Sequence, residues 1–309
     1  MAVVLLSACS SDEQSPEQPA GGLPASGQTW TVTGQGMLPS EALTRAVSVG
    51  GATGSKIFGN WEDGDKIYAL DGVNDAGTLT TTIDAGNSAL ADFEGTLTFS
   101  STPVAGVTTL DYYTPSATLD YTVQNGQLST ISSSCFYMHA TPKVKTVDTP
   151  MKAINMEGAA FKPMQTLVVL KFKEIAGGTW LRPEHVKVTS ANGALVLQEN
   201  MKTGVKTLGD LEFDCAQRDG MYPYEVYLVL RNTGTSDTYH FQVTVGSDTY
   251  ETVTDSSDET QKDFSWNYDA SNDNWILSRT LGVKLVPVSS TNTITGWGDG
   301  GTTTESITE

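Results

Sequence analysis

The chain has 309 residues, enough for a large core and, by length alone, for two domains of roughly 150 residues each. Its 18 Lys and Arg against 36 Asp and Glu leave a formal net charge of −18, which excludes a general nucleic-acid binder and a chain held to anionic lipid by surface charge. Charged residues make up 17% and hydrophobic residues 38%, with Thr, Ser, Gly and Asn filling much of the rest, a composition that suits a folded, turn-rich β protein rather than a disordered acidic tail.

An apolar run over residues 1–8 ends in Leu6-Ser7-Ala8-Cys9. Two small residues before a cysteine resemble a bacterial lipobox, in which Cys9 is acylated and becomes the new N-terminus; small side chains give the peptidase access, and two or more acyl chains give stable anchoring. The run is far too short to span a bilayer. It is also short for a signal peptide and has no Lys or Arg before it, which points to a start further upstream. Residues 10–28, rich in Ser, Glu, Gln, Pro and Gly, read as a tether. The other cysteines, Cys135 and Cys215, have no zinc or redox-motif spacing and read as buried free thiols.

From there the chain reads as short strands and turns. Residues 29–33 alternate, 40–45 allow a helical turn, and 45–49 are extended behind Arg45. Further strands are expected over 66–70, 79–83, 93–99, 110–114, 119–123, 128–131 and 136–140, with Asn125-Gly126 as a hairpin turn between the fifth and sixth of these. Asp71, Asn74 and Asp75 beside Gly72 and Gly77 read as another hairpin turn rather than a calcium loop. Pro142, Pro150 and the lysines around them set a boundary near residue 150. A second series follows: 167–172, 186–189, a hairpin at Asn192-Gly193 into 194–197, 222–230, a turn holding Thr235 and Asp237, 239–245, a solvated acidic loop from Asp248, and strands over 275–277 and 283–286. Helical periodicity is nearly absent. The organisation expected is therefore a partial lipoprotein signal over 1–9, a tether over 10–28, β-sandwiches over 29–150 and 151–300, and a flexible tail over 301–309.

Thr44-Arg45-Ala46, the stretch Phe58-Gly59-Asn60-Trp61-Glu62-Asp63-Gly64-Asp65-Lys66-Ile67-Tyr68, the strand end Tyr112-Tyr113-Thr114-Pro115, and Phe161 with Leu167, Leu170 and Phe172 together resemble the fimbrillin-like lipoproteins of the Bacteroidales. The resemblance implies two transthyretin-like Greek-key β-sandwiches and a structural role, stalk or tip, in a cell-surface fimbria of the outer membrane. It implies lipidation at Cys9 and cleavage between Arg45 and Ala46 by an arginine-specific protease. That cut would remove the lipid and the first strand, and a strand from another subunit would fill the groove. A removed strand leaves an apolar groove and unpaired backbone, and a donor strand repairs both. The donor is expected within 283–297, with Val283, Leu285, Ile294 and Trp297 as anchors. A non-cleaved anchor subunit is a variant of this reading.

No motif for a hydrolase, a zinc protease or a phosphate loop is present, and His139, His185 and His240 are isolated in the sequence. The chain therefore reads as a non-enzyme without cofactor or metal. The alternative function is a surface glycan-binding lipoprotein, with Trp266, Tyr268 and Trp275 as candidate contacts.

Overall fold

A computed structural model describes residues 27–38, 61–84, 87–216, 223–233, 237–253, 263–266, 276–286, 293–294 and 303–304. The described residues form an all-β fold of two large, mixed sheets; its helical content is one short turn, Leu128–Thr130 running into Ile131–Cys135.

The first sheet has the order Lys162–Pro163, Met138–Ala140, Asp111–Thr114, Lys66–Asp71, Asn74–Asp84, Asn87–Phe99, Gln28–Met37, Ala153–Met156, Val144–Asp148, with Ala159–Ala160 also on Gln28–Met37. Alternation along these strands turns one face inward, where Trp30, Val32, Ile67, Leu79, Phe93, Leu97, Phe99 and Tyr112 make a continuous core. The turn Gly72-Val73 joins the second and third strands in chain order. Beside it the Asp71 carboxylate accepts bonds from Ser100 N and Oγ, so these acids serve a hairpin.

The second sheet runs Trp180–Leu181, Thr166–Glu174, Ile276–Leu285, Asp248–Glu251, Asp237–Val245, His185–Ser190, Leu211–Asp214, with Glu225–Leu230 on Thr166–Glu174 and Phe264–Trp266 on Asp237–Val245. Residues 166–170 of Thr166–Glu174 are buried in succession, as in a strand covered on both faces, and the strand pairs in parallel with Ile276–Leu285. Val168, Leu170, Phe172, Val186, Val188, Phe241 and Val243 form this sheet's core.

The structure departs from the sequence reading in several places. Asn125-Gly126 joins no hairpin, because Thr118–Asp120 pairs with Val196–Asn200 and residues 128–135 are helical. Residues 128–131 are helical rather than extended, because Ile131 and Cys135 on that turn pack into the junction between the two sheets. Asn192-Gly193 makes a tight turn, with Gly193 N on Ser190 O at 3.1 Å, but the flanking strands do not pair with each other. His185–Ser190 stays in the second sheet and Val196–Asn200 joins a third. Asp237 opens a strand instead of a turn; it is buried and accepts bonds from Ser190 Oγ, Asn192 N and Thr238 N. Asp248–Glu251 is a strand, since Gly246 turns the chain back onto Asp237–Val245. The sheet change falls between Pro163 and Thr166, and residues 153–163 pair into the first sheet.

The third sheet joins the two halves: Thr118–Asp120 pairs with Val196–Asn200, which pairs with Val205–Leu208. Leu119, Tyr121, Ile131 and Tyr137 pack there against Leu167, Val196 and Val229. Two buried glutamines bind the backbone at this seam. Gln124 Nε2 donates to Tyr121 O and Val229 O, and Gln124 Oε1 accepts from Val229 N; Gln165 Nε2 donates to Tyr137 O, and its Oε1 accepts from Tyr137 N and Tyr121 OH.

Candidate functional site

A candidate functional element among the described residues is the strand Gln28–Met37 and its seat in the first sheet. The sequence Thr29-Trp30-Thr31-Val32-Thr33-Gly34-Gln35-Gly36 alternates, so Trp30, Val32, Gly34 and Gly36 face inward while Thr29, Thr31, Thr33 and Gln35 face out. All ten residues pair antiparallel with Asn87–Phe99, from Gln28↔Phe99 to Met37↔Leu90. The other edge pairs in parallel, Thr31–Thr33 with Ala153–Asn155 and Gly36-Met37 with Ala159-Ala160. Trp30 and Val32 are 1% and 0% exposed.

The inward row tapers from an indole to nothing, and the seat is shaped to match. A Cβ on Gly34 would stand 2.5 Å and 2.7 Å from the Phe93 ring, and one on Gly36 would stand 3.2 Å from Trp61 and 3.3 Å from Phe161. These rings have little freedom to give way. Phe93 packs edge-on against Tyr112 at 5.5 Å, and Trp61 against Phe161 at 5.3 Å. The two glycines are therefore a steric requirement of the seat, of the kind a close approach imposes on a strand.

The outer face of the same strand is polar and open. Asn155 Nδ2 donates to Thr33 Oγ1 at 3.2 Å and Gln35 Nε2 to Asp92 Oδ1 at 3.4 Å. A trough of about 640 Å³ lies against this row, lined by Thr33, Gln35, Asp92, Glu94, Lys145 and Asn155.

Cys9 and the pair Arg45-Ala46 lie outside the described residues. Arg45 and Ala46 fall in 39–60, the stretch that connects the strand to the body of the sheet at Trp61. A break anywhere in it leaves the strand held by non-covalent contacts alone. Val283 and Leu285 belong to Ile276–Leu285: Val283 is fully buried opposite Glu174, and Leu285 is half-exposed opposite Tyr250. Ile294 lies in Thr293–Ile294, paired with Thr303–Thr304, and Trp297 is outside the described residues. Trp266 ends Phe264–Trp266 opposite Asp237, while Tyr268 and Trp275 are outside the described residues.

An aromatic patch lies elsewhere, with no periodicity in the sequence to mark it. Trp180 and Tyr224 are 41% and 38% exposed, their rings 6.5 Å apart, and Lys173 Nζ is 5.6 Å from the Trp180 ring centre.

The histidines are paired rather than isolated: His139 with Asp111 at 2.9 Å, His185 with Asp214 at 2.9 Å, and His240 with Asp263 at 2.8 Å. Beside His240 the Thr252 hydroxyl donates to the Asp263 carboxylate and lies 3.3 Å from His240 Nδ1, so the three groups form one hydrogen-bonded cluster. Among the described residues no group of three or more His, Cys, Asp or Glu is placed to hold a metal ion. Burial pushes the Cys135 thiol up to about 12, the opposite of an activated thiolate.

The hydrogen bond from His139 holds the Asp111 carboxyl below its ordinary value of 3.8, against the opposing effect of burial. A folded-state value below the unfolded one contributes stability above pH 3.8, lost as pH falls through the lowered value. The stability difference between the wild type and Asp111→Asn, followed by denaturant unfolding, is expected to shrink as the pH falls below 3.8.

No protein-family model matches the chain, and no curated protein matches it. Among solved structures, a protein assigned to cell adhesion from Bacteroides uniformis aligns at 16% identity and a TM-score of 0.37, over 87% of this chain and 97% of that one. A fimbrial assembly protein from Parabacteroides distasonis aligns at 8% identity and 0.32, over 79% and 86%. A fimbrial protein from Bacteroides ovatus aligns at 12% and 0.28, over 90% of this chain and 53% of that one.

Proposed function

We propose that this chain is a structural subunit of a cell-surface fimbria, assembled by strand exchange after proteolytic loss of its N-terminal segment. The observation that carries the reading is the seat of Gln28–Met37: a strand built into the core, paired on both edges, and connected to the sheet through the stretch that holds Arg45-Ala46. Removing it uncovers Phe93, Phe161 and two rows of backbone groups at once. That surface would not persist in water and would take up another strand of the same pattern. In this reading Cys9 carries the lipid that holds the precursor at the outer membrane, and an arginine-specific protease cuts after Arg45, freeing the chain from its lipid. Its partners are other fimbrial subunits, and the two halves of the fold are transthyretin-like sandwiches.

The exposed pair Trp180 and Tyr224, with Lys173 beside it, favours a second reading, a glycan-binding surface lipoprotein.

The test is treatment of the purified full chain with an arginine-specific protease, followed by size and by mass. Ordered oligomers that form only after a cut between Arg45 and Ala46, and that fail to form from Arg45→Ala, are the expected result. Assembly of the uncut chain, or a cut chain that stays monomeric, overturns the proposal.

A further inference from the structure

One edge of the first sheet carries a row of three side chains. Across the neighbouring strands Asp111–Thr114, Met138–Ala140 and Lys162–Pro163, Tyr113 stands opposite His139 and His139 opposite Lys162. Residues paired directly share one face of a sheet, and the Tyr113 and His139 rings stack at 4.7 Å. Arg231, which follows Glu225–Leu230, and Met201, which follows Val196–Asn200, meet this row from the second half of the chain. With Met164 they line a cleft of about 450 Å³. Sites for small molecules have volumes of about 300–1,000 Å³ and favour junctions of this kind.

Two groups in the cleft lack partners. Tyr113 is 5% exposed, yet its hydroxyl has no hydrogen-bond partner among the described residues, and buried polar groups nearly always find one. Burial, with the Asp111 and Glu199 carboxylates nearby, pushes this hydroxyl up to about 12, so it stays a neutral donor at ordinary pH. Lys162 is exposed and makes no ion pair among the described residues. The acids nearby are already matched. Asp111 is held by His139 at 2.9 Å and Thr141 at 3.1 Å, and Glu199 by Arg231 at 2.7 Å and Lys206 at 3.2 Å. Among the described groups around the cleft, Lys162 is the cation left over, and it calls for one negative charge.

We infer that the cleft binds a small monocarboxylate with an apolar body, its carboxylate on Lys162 and the Tyr113 hydroxyl and its body against Met164 and Met201. A carboxylate only accepts hydrogen bonds, and both unmatched groups are donors. The other walls, Ala140, Ala160 and Pro163, are side chains that give a sugar's hydroxyls no partner, which favours an aryl or alkyl carboxylate over a sugar acid. Methionine sulfur packs well on an aromatic ring and its chain adapts to the shape of a ligand. A phosphate dianion would bring one charge too many. Binding here does not depend on strand exchange, because the uncut chain already carries the cleft. A molecule bound between Tyr113 and Lys162 of the first sheet and Met201 and Arg231 of the second half would bridge the junction and stabilise the fold.

The test is calorimetric titration of the uncut full chain with benzoate, phenylacetate and hexanoate, beside benzyl alcohol, glucuronate and inorganic phosphate. Saturable binding of at least one of the first three, tighter than any of the last three and matched by a rise in Tm, is expected. Lys162→Met keeps the aliphatic stem and removes the charge, and should weaken that binding about tenfold or more. Tyr113→Phe keeps the ring beside His139 and should weaken it about three- to tenfold, while leaving the free chain no less stable, since only an unpartnered hydroxyl is lost. A tyrosine with a merely structural role would not give that combination. Lys145→Met, in the trough over the first strand, should bind as the wild type does. No saturable binding by any of the three carboxylates, equal binding of benzyl alcohol, or binding unchanged in Lys162→Met or in Tyr113→Phe overturns the inference. Glucuronate or phosphate bound more tightly than the three overturns the apolar monocarboxylate as the ligand.

Discussion

Trp30→Ala in the full chain is expected to lower stability by about 3–5 kcal/mol, the range for truncating a large aromatic in a core. Trp30 is 1% exposed and lies in the largest apolar cluster of the first sheet, close to Phe99 and Leu97 in the paired strand. The loss should come from packing alone, because among the described residues its indole Nε1 finds no hydrogen-bond partner. Trp30→Phe, which keeps most of the volume and removes that unpartnered N–H, is therefore expected to cost less than about 1.5 kcal/mol. Denaturant midpoints with an unchanged slope are the measurement. Equal losses for the two variants would show that the N–H and not the ring volume matters. A loss below about 1 kcal/mol for alanine would mean that the strand is not part of the sheet's stabilising core.

Arg231→Ala is expected to cost about 3 kcal/mol, at the lower end of the range for breaking a buried ion pair. Glu199, whose side chain is 4% exposed, takes a bond from Arg231 Nε at 2.7 Å and pairs with Lys206 at 3.2 Å, while Arg231 Nη1 also donates to Met164 O. Without the guanidinium, Glu199 keeps a single lysine and the Met164 carbonyl loses this donor. Lysine at 231 should rescue poorly, since it lacks the planar fork that serves both acceptors. Glu199→Gln with Arg231→Met should recover part of the loss, with a coupling of about 1–3 kcal/mol in the double-mutant cycle. Additive losses would mean that the pair does not act as a unit.

Much of the fold could be read from alternation. The residues 29–33, 66–70, 93–99 and 239–245 are strands because every second side chain is apolar and the core lies on one side. Alternation says nothing of strand order, however, so the parallel pairing of Thr166–Glu174 with Ile276–Leu285 could not be seen. Turn chemistry misled where the turn was right but its flanks went to different sheets, as at Asn192-Gly193. At 128–135 the junction core overrode local preference. Alternation also does not reveal why positions 34 and 36 are glycines, which the structure explains by the aromatic rings that lie against them. Trp180 and Tyr224 left no sequence signal, because they come together from strand ends far apart in the chain.

The third sheet has a mechanical consequence. Thr118–Asp120 from the first half is stitched to Val196–Asn200 from the second, with Gln124 and Gln165 bonded to backbone on either side. A hinge needs a seam that can open without breaking strand pairs, and this seam has none. The two halves should therefore move together, since no swing of one against the other is possible without breaking this pairing.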